Sequence, residues 1–129
     1  MSKQVMTPTG VPAAIGPYSI AVRAGDTLYV SGNIPRNAMT GAMVTESIEA
    51  ATRQVMSNLR AVLTGCGLGL MDVVKTTVYL KNMDDFAAMN KVYAEYFPEQ
   101  PPARSTIQAA KLPADSLLEI DCIAVFAAK

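Results

Sequence analysis

Two side chains in this sequence have the chemistry to hold a small anion and to move a proton on it: Arg104 and Glu119. Arg104 stands in Pro101-Pro102-Ala103-Arg104-Ser105-Thr106-Ile107, shortly before Lys111-Leu112-Pro113. The two prolines force an extended entry, because each fixes its own φ and turns the preceding residue away from helix. Arginine is always charged, and its planar fork matches a carboxylate. Ala103 and Ser105 are small enough to let a ligand approach it. An arginine at a strand start is equally well served by an ordinary salt bridge or by water, so residue type alone leaves both uses open. Glu119 belongs to the cleanest period-two stretch of the chain, predicted as a strand over Leu117–Phe126. Leu118, Ile120, Cys122, Ala124 and Phe126 share one face; Glu119, Asp121, Ile123 and Val125 share the other. A glutamate there is either solvated or, once enclosed, in need of a cation or a held water.

The elements that must position these residues follow from pattern. Pro8, Pro12 and Pro17 make residues 7–17 an irregular lead-in. Tyr18–Arg23 and Thr27–Ser31 read as strands joined at Ala24-Gly25-Asp26, a hairpin closed by Gly32 and Pro35. Residues 36–44 are a loop. A helix is predicted over Glu46–Gly65, capped by Thr45, with Ile48, Val55, Leu59, Val62 and Leu63 as its buried stripe and Gly65 and Gly67 as its stop. Val73–Leu80 is β-branched and alternating, hence a strand. A second helix is predicted from Asp84, as cap, to Phe97, with Phe86, Met89, Tyr93, Tyr96 and Phe97 buried and Pro98 ending it. The order is ββαβαββ: one α+β domain over residues 1–129, with two helices on one face of a mixed sheet. The other face carries Ile123 and Val125, and no third helix exists to cover it. Such a face asks for a second copy of the chain.

Composition narrows the function. The 129 residues are half hydrophobic and 17% charged, which suits a packed domain and excludes disorder. Eleven basic residues balance eleven acidic ones, so neither nucleic acid nor an anionic membrane is expected as the main partner. Met1-Ser2-Lys3-Gln4 is followed by no apolar run, so no signal peptide is read there, and no stretch is long enough to span a bilayer. Cys66 and Cys122 are isolated, which points to a reducing, cytoplasmic or organellar setting. With no histidine in the chain, the usual general base and the commonest metal ligand are missing, and no metal or cofactor is expected.

Pro102-Ala103-Arg104-Ser105 and Ala110-Lys111-Leu112-Pro113 resemble the signature of the RidA/YjgF family of reactive intermediate (imine/enamine) deaminases. Ile15-Gly16-Pro17-Tyr18-Ser19, Ser31-Gly32-Asn33-Ile34-Pro35, Val74–Tyr79, Asp85-Phe86 with Asn90, and Glu119-Ile120 are similar to further family segments and stand in family order, from about Ala13 to Val125. The resemblance implies a chorismate-mutase-like fold assembling as a homotrimeric barrel, with three sites between subunits and no cofactor. It implies that Arg104 clamps the carboxylate of a 2-imino acid while Glu119 directs a water to the C=N carbon, giving a 2-keto acid and ammonia. Tyr18 then donates its hydroxyl to the substrate, Gly32 lets backbone approach it, Asn90 reaches the cleft, and the Ser105 backbone holds ligand or water. Read as residues alone, Tyr18 is as well a core tyrosine, Gly32 a hairpin glycine and Asn90 an exposed helix asparagine. Asn33 and Ile20 depart from the glutamines common in the family and bear on the rim of the cleft. The activity implied is removal of 2-aminoacrylate and related 2-iminobutanoate or 2-iminopropanoate species. The alternative is a non-catalytic trimer that senses small carboxylates or acts as a chaperone; RNA cleavage, also ascribed to relatives, ranks third.

Overall fold

The last strand sets the plane on which everything else is laid. In the computed structural model, which describes residues 2–127, it spans Leu118–Val125, and Leu118, Ile120, Cys122 and Ala124 are buried while Glu119, Asp121 and Ile123 are half-buried on the opposite face. Around this strand (β6) run β1 (Gln4–Met6), β2 (Ala21–Ala24), β3 (Thr27–Asn33), β4 (Val73–Leu80) and β5 (Ala103–Gln108). The sheet order is β1-β2-β3-β6-β4-β5, with only β4 and β5 parallel. Helices α1 (Ile48–Gly65) and α2 (Phe86–Tyr96) connect β3 to β4 and β4 to β5, as the crossovers require. Both lie over the face that carries Leu28, Val30, Val78, Leu80, Leu118 and Ile120, all buried in one core with them. The architecture is mixed α+β, a six-stranded sheet with two helices on one face.

Several boundaries differ from the pattern-based expectation. The order gains a first strand, β1, whose Val5 pairs with Val22, so the chain reads βββαβαββ. Tyr18 stands outside β2, which begins at Ala21; Gly16 and Pro17 hold the preceding segment in a turn closed by the Tyr18 amide on the Gly16 carbonyl at 2.9 Å. Helix α1 is capped by Ser47, not Thr45: the Ser47 hydroxyl accepts the Ala50 amide at 3.0 Å, a bond worth about 1 kcal/mol. That later start is what places Ile48 in the core. Before α2 a short 3-10 turn, Met83–Asp85, intervenes, and Asn82 rather than Asp84 supplies the capping oxygen, to the Asp84 amide at 2.9 Å. The predicted α1 stripe holds, and α1 additionally buries Ala51, Thr52, Met56 and Asn58. Of the predicted α2 stripe Met89, Tyr93 and Phe97 are buried, whereas Phe86 and Tyr96 are only half-buried and Val92 is buried instead. Asn58 is satisfied there: its side-chain nitrogen donates to the carbonyls of Ile34 and Arg36 at 3.2 and 2.9 Å and ties the loop after β3 to the helix. No helix among the described residues is long and apolar enough to cross a membrane.

The face opposite the helices is uncovered. Register sets Val5, Val22, Tyr29 and Ile123 in a line across four strands, ending on Lys75 of β4. Val5 and Tyr29 are each 50% exposed on it.

Candidate functional site

Between Val30 and Asn33, β3 gains one residue over β6, so that Ser31 and Gly32 together oppose Asp121. A bulge of this kind bends the strand and re-aims what lies on it. Here it lays the carboxylate of Glu119 on Gly32: a Cβ at position 32 would coincide with the Glu119 carboxylate oxygen Oε2. An added Cβ at 32 would push the Glu119 side chain aside, so glycine is what lets the carboxylate lie against the strand here, and no left-handed backbone calls for it. Glu119 makes no ion pair among the described residues, and burial, reinforced by the neighbouring Asp121, raises its pKa above the ordinary carboxylate value. Asp121 itself accepts a hydrogen bond from the Tyr79 hydroxyl at 3.1 Å.

Glu119 and Gly32 line a cleft of about 600 Å³ with Ile15, Tyr18, Arg36 and Ala114. The Tyr18 hydroxyl accepts the Ile15 amide at 3.3 Å, which leaves its own proton free to donate. Ala114, which also lines the cleft, and its neighbour Asp115 hold consecutive positive-φ conformations, φ 54° and 52°. Such residues cost roughly 1–3 kcal/mol each and cluster at binding sites. The Lys81 ammonium forms an exposed ion pair with Asp115 at 3.1 Å, next to the lining residue Ala114.

Arg104 is elsewhere. It pairs in register with buried Thr76, whereas Glu119 pairs with Tyr79 on the same β4 strand. Partners in register share a face, and residues 76 and 79 point to opposite faces. Arg104 consequently lies on the helix side, its guanidinium 4.8 Å from the Tyr93 ring and 5.6 Å from the Phe86 ring of α2. The Tyr93 hydroxyl bonds the Thr76 hydroxyl at 2.8 Å, which fixes the ring under the arginine. Phe86, Asn90 and Tyr93 recur at helical spacing along one face of α2. The Asn90 side-chain oxygen is buried without a partner.

The predicted residues thus fall into two groups: Tyr18, Gly32 and Glu119 in the cleft, Arg104 and Asn90 on the far side of the sheet. Ser105 alternates to the open face, so its side chain points away from Arg104 and only its backbone can join that group. Sequence reasoning missed Thr106, which returns to the Arg104 face and has a buried, unpartnered hydroxyl. Strand alternation, applied to Arg104-Ser105-Thr106, was the available signal. It also missed Arg36, hidden in what read as a loop. Buried Cys122 lies in the same cross-strand row as Thr76 and Arg104, and burial pushes its thiol up to about 12. Among the described residues no three or more His, Cys, Asp and Glu side chains gather as a metal site would need.

This arrangement meets known proteins over most of its length. The model of the family described as Endoribonuclease L-PSP matches residues 9–126. The chain belongs to that family, the RidA/YjgF proteins. A RutC family protein of Pyrococcus horikoshii is 49% identical over 122 residues, covering 95% of this chain and 97% of that one. A 2-iminobutanoate/2-iminopropanoate deaminase of Dermatophagoides farinae is 41% identical over 123 residues, 95% of this chain and 96% of its own. Among solved structures, the Rid-family protein YyfA of Yersinia pestis superposes with a TM-score of 0.93 at 42% identity, covering 97% of this RidA/YjgF chain and all of that one.

Proposed function

We propose that this protein is a cofactor-independent deaminase of 2-imino acids and their enamine tautomers, acting on 2-iminobutanoate, 2-iminopropanoate and the 2-aminoacrylate that gives rise to it. The observation that carries the reading is the state of Glu119: half-buried, without a cation, of raised pKa, and laid against the one residue that leaves room for it. A carboxylate whose proton affinity is raised by burial is a stronger proton acceptor than a solvated one and suits a general base. The relative named as an imine deaminase supports the same chemistry.

Since Arg104 and Glu119 face opposite ways in one chain, they meet only if the cleft of one subunit receives the Arg104 face of another. We therefore assign the site to the junction between copies in a homotrimer closed over the uncovered sheet face. Arg104, with Asn90 and Thr106 beside it, holds the substrate carboxylate. Glu119 orients a water against C2 of the protonated imine and accepts its proton as the C–O bond forms. The protonated Glu119 then returns that proton to nitrogen, the C–N bond breaks as the hydroxyl proton passes to the departing ammonia, and ammonium and the 2-keto acid leave. A protonated imine is already electrophilic, so positioning and one proton shuttle suffice. The site needs no further group, and the setting we assign is the cytoplasm. The ribonuclease activity in the family's description has less support here, with zero net charge and no histidine.

The test couples a source to the protein. Serine or cysteine is converted in situ to iminopyruvate by a pyridoxal-phosphate enzyme, and keto-acid release is followed with and without this chain. Faster release at catalytic amounts is expected; an unchanged rate refutes the deaminase. Light scattering at micromolar concentration should give the mass of three chains, and a monodisperse monomer would refute the shared site.

A further inference from the structure

The cleft contains a cation that the proposed reaction does not use. Arg36 lines it with Tyr18, Gly32 and Glu119. Its backbone is fixed from both sides: the Arg36 carbonyl accepts the side-chain nitrogen of Asn58 at 2.9 Å, and Arg36 bridges to Met43 across the turn that follows. That turn is itself closed by Asn37, whose side-chain oxygen accepts the amides of Met39 and Thr40 at 2.9 and 3.0 Å. One guanidinium nitrogen donates to the Gly41 carbonyl at 2.9 Å. The remaining donors meet no carboxylate within ion-pair distance among the described residues, although Glu119 lines the same cleft. An arginine anchored at its base and by one guanidinium nitrogen, with donors left over and facing a space shared with an unpaired carboxylate, is built to receive an anion and not to neutralise the protein's own charge.

We propose that Arg36 reads a second anionic group on the substrate, so that the cleft accepts 2-imino dicarboxylates, the imines of acidic amino acids. This rests on the deaminase reading and names its substrate class. Arg104 of one subunit takes the carboxylate next to the imine; Arg36 of the other takes the distal one, and Glu119 acts on the carbon between them. The chemistry balances without a co-reactant: for 2-iminobutanedioate, water oxygen bonds to C2, the C–N bond breaks, and nitrogen leaves as ammonia with both water protons. The class of reaction that must supply the substrate is oxidation of an acidic amino acid at its amino-bearing carbon.

The experiment compares two imines made in situ by amino-acid oxidases with catalase present, 2-iminobutanedioate from aspartate and 2-iminopropanoate from alanine. Arg36→Met should lower the ratio of kcat/KM for the diacid over the monoacid by on the order of 10- to 100-fold, the worth of a charge-assisted bond. Arg36→Lys should restore most of that ratio. A ratio unmoved by Arg36→Met, or an equal loss on both imines, overturns the assignment. Calorimetry with 2-oxopentanedioate and 2-oxopropanoate separates this failure from that of the deaminase itself. If neither imine is turned over, the deaminase reading fails, yet diacid binding weakened by Arg36→Met still upholds the anion-reading arginine. Diacid binding indifferent to Arg36 overturns it.

Discussion

Arg104→Lys is expected to reduce imine turnover on the order of 10²-fold or more, with the fold and the assembly intact. The charge survives this change, so the loss isolates geometry. In the native chain the guanidinium is a plane seated against two rings, 4.8 Å from Tyr93 and 5.6 Å from Phe86, and Tyr93 is pinned by Thr76. That seat fixes the direction in which two parallel donors meet a carboxylate. A lysine ammonium is a mobile point charge with no plane to seat. The substrate would still bind, but C2 would wander from the water that must attack it. Loss of the ring contact itself costs about 0.5–1 kcal/mol, too little to unfold the domain. Coupled turnover and a melting curve on the same sample decide the matter. Near-native turnover would make Arg104 a structural residue and refute the clamp.

Glu119→Gln should slow hydrolysis by roughly 10²- to 10⁴-fold while leaving keto-acid binding in place, since an amide keeps the shape and gives up the proton acceptor. The pH dependence gives an independent check. Burial and Asp121 raise the Glu119 carboxyl above its ordinary 4.5, and only the ionised form accepts a proton from water. The catalysed rate, corrected for spontaneous hydrolysis, should therefore fall as pH drops through that raised value, and the acid limb should vanish in Glu119→Gln. Stability runs the other way. A carboxyl with a raised folded-state pKa supports the fold below the unfolded value and loses that support as pH rises through the folded one. At neutral pH the ionised Glu119 is thus a cost, and the glutamine variant should melt no lower than the native chain. A wild-type rate in Glu119→Gln would move the water-directing role elsewhere; a lowered melting point would mark Glu119 as structural.

Much of this was legible before any coordinates, and what was not had physical reasons. The alternation in Leu118–Val125 put Glu119 opposite the core without ambiguity, because period two admits only two faces. The stripe of α1 was equally plain, yet its cap was not: Thr45 and Ser47 are both good capping residues two positions apart, and the core decides between them by burying Ile48. β1 is only three residues long and exists through its ladder to β2, so no local pattern could announce it. The separation of Arg104 from Glu119 depends on which residue of β4 each strand meets, Thr76 or Tyr79, and that register is a property of three strands together. The bulge that brings Gly32 against Glu119 is likewise invisible within β3, where Ser31-Gly32 reads as the end of a hairpin. Arg36 escaped for a simpler reason: a cation after Pro35 looks like solvated loop until Asn58 is seen holding its backbone.

Cys122 has a consequence for the surroundings in which this protein can work. Its sulfur lies two strands from Arg104 in one row of the sheet, with its pKa pushed up to about 12, and Cys66 is buried and shifted upward as well. Thiolate is the form that oxidants and alkylating agents attack, and burial holds Cys122 in the thiol form at neutral pH. Hydrogen peroxide, released by the very oxidases that generate imines, meets Met39 and Met71 first, at 95% and 96% exposure and outside the cleft that contains Glu119. Their sulfoxides are reversible lesions on flexible surface side chains. Both thiols are thus kept within the fold, and the two most exposed sulfurs stand outside the cleft that contains Glu119.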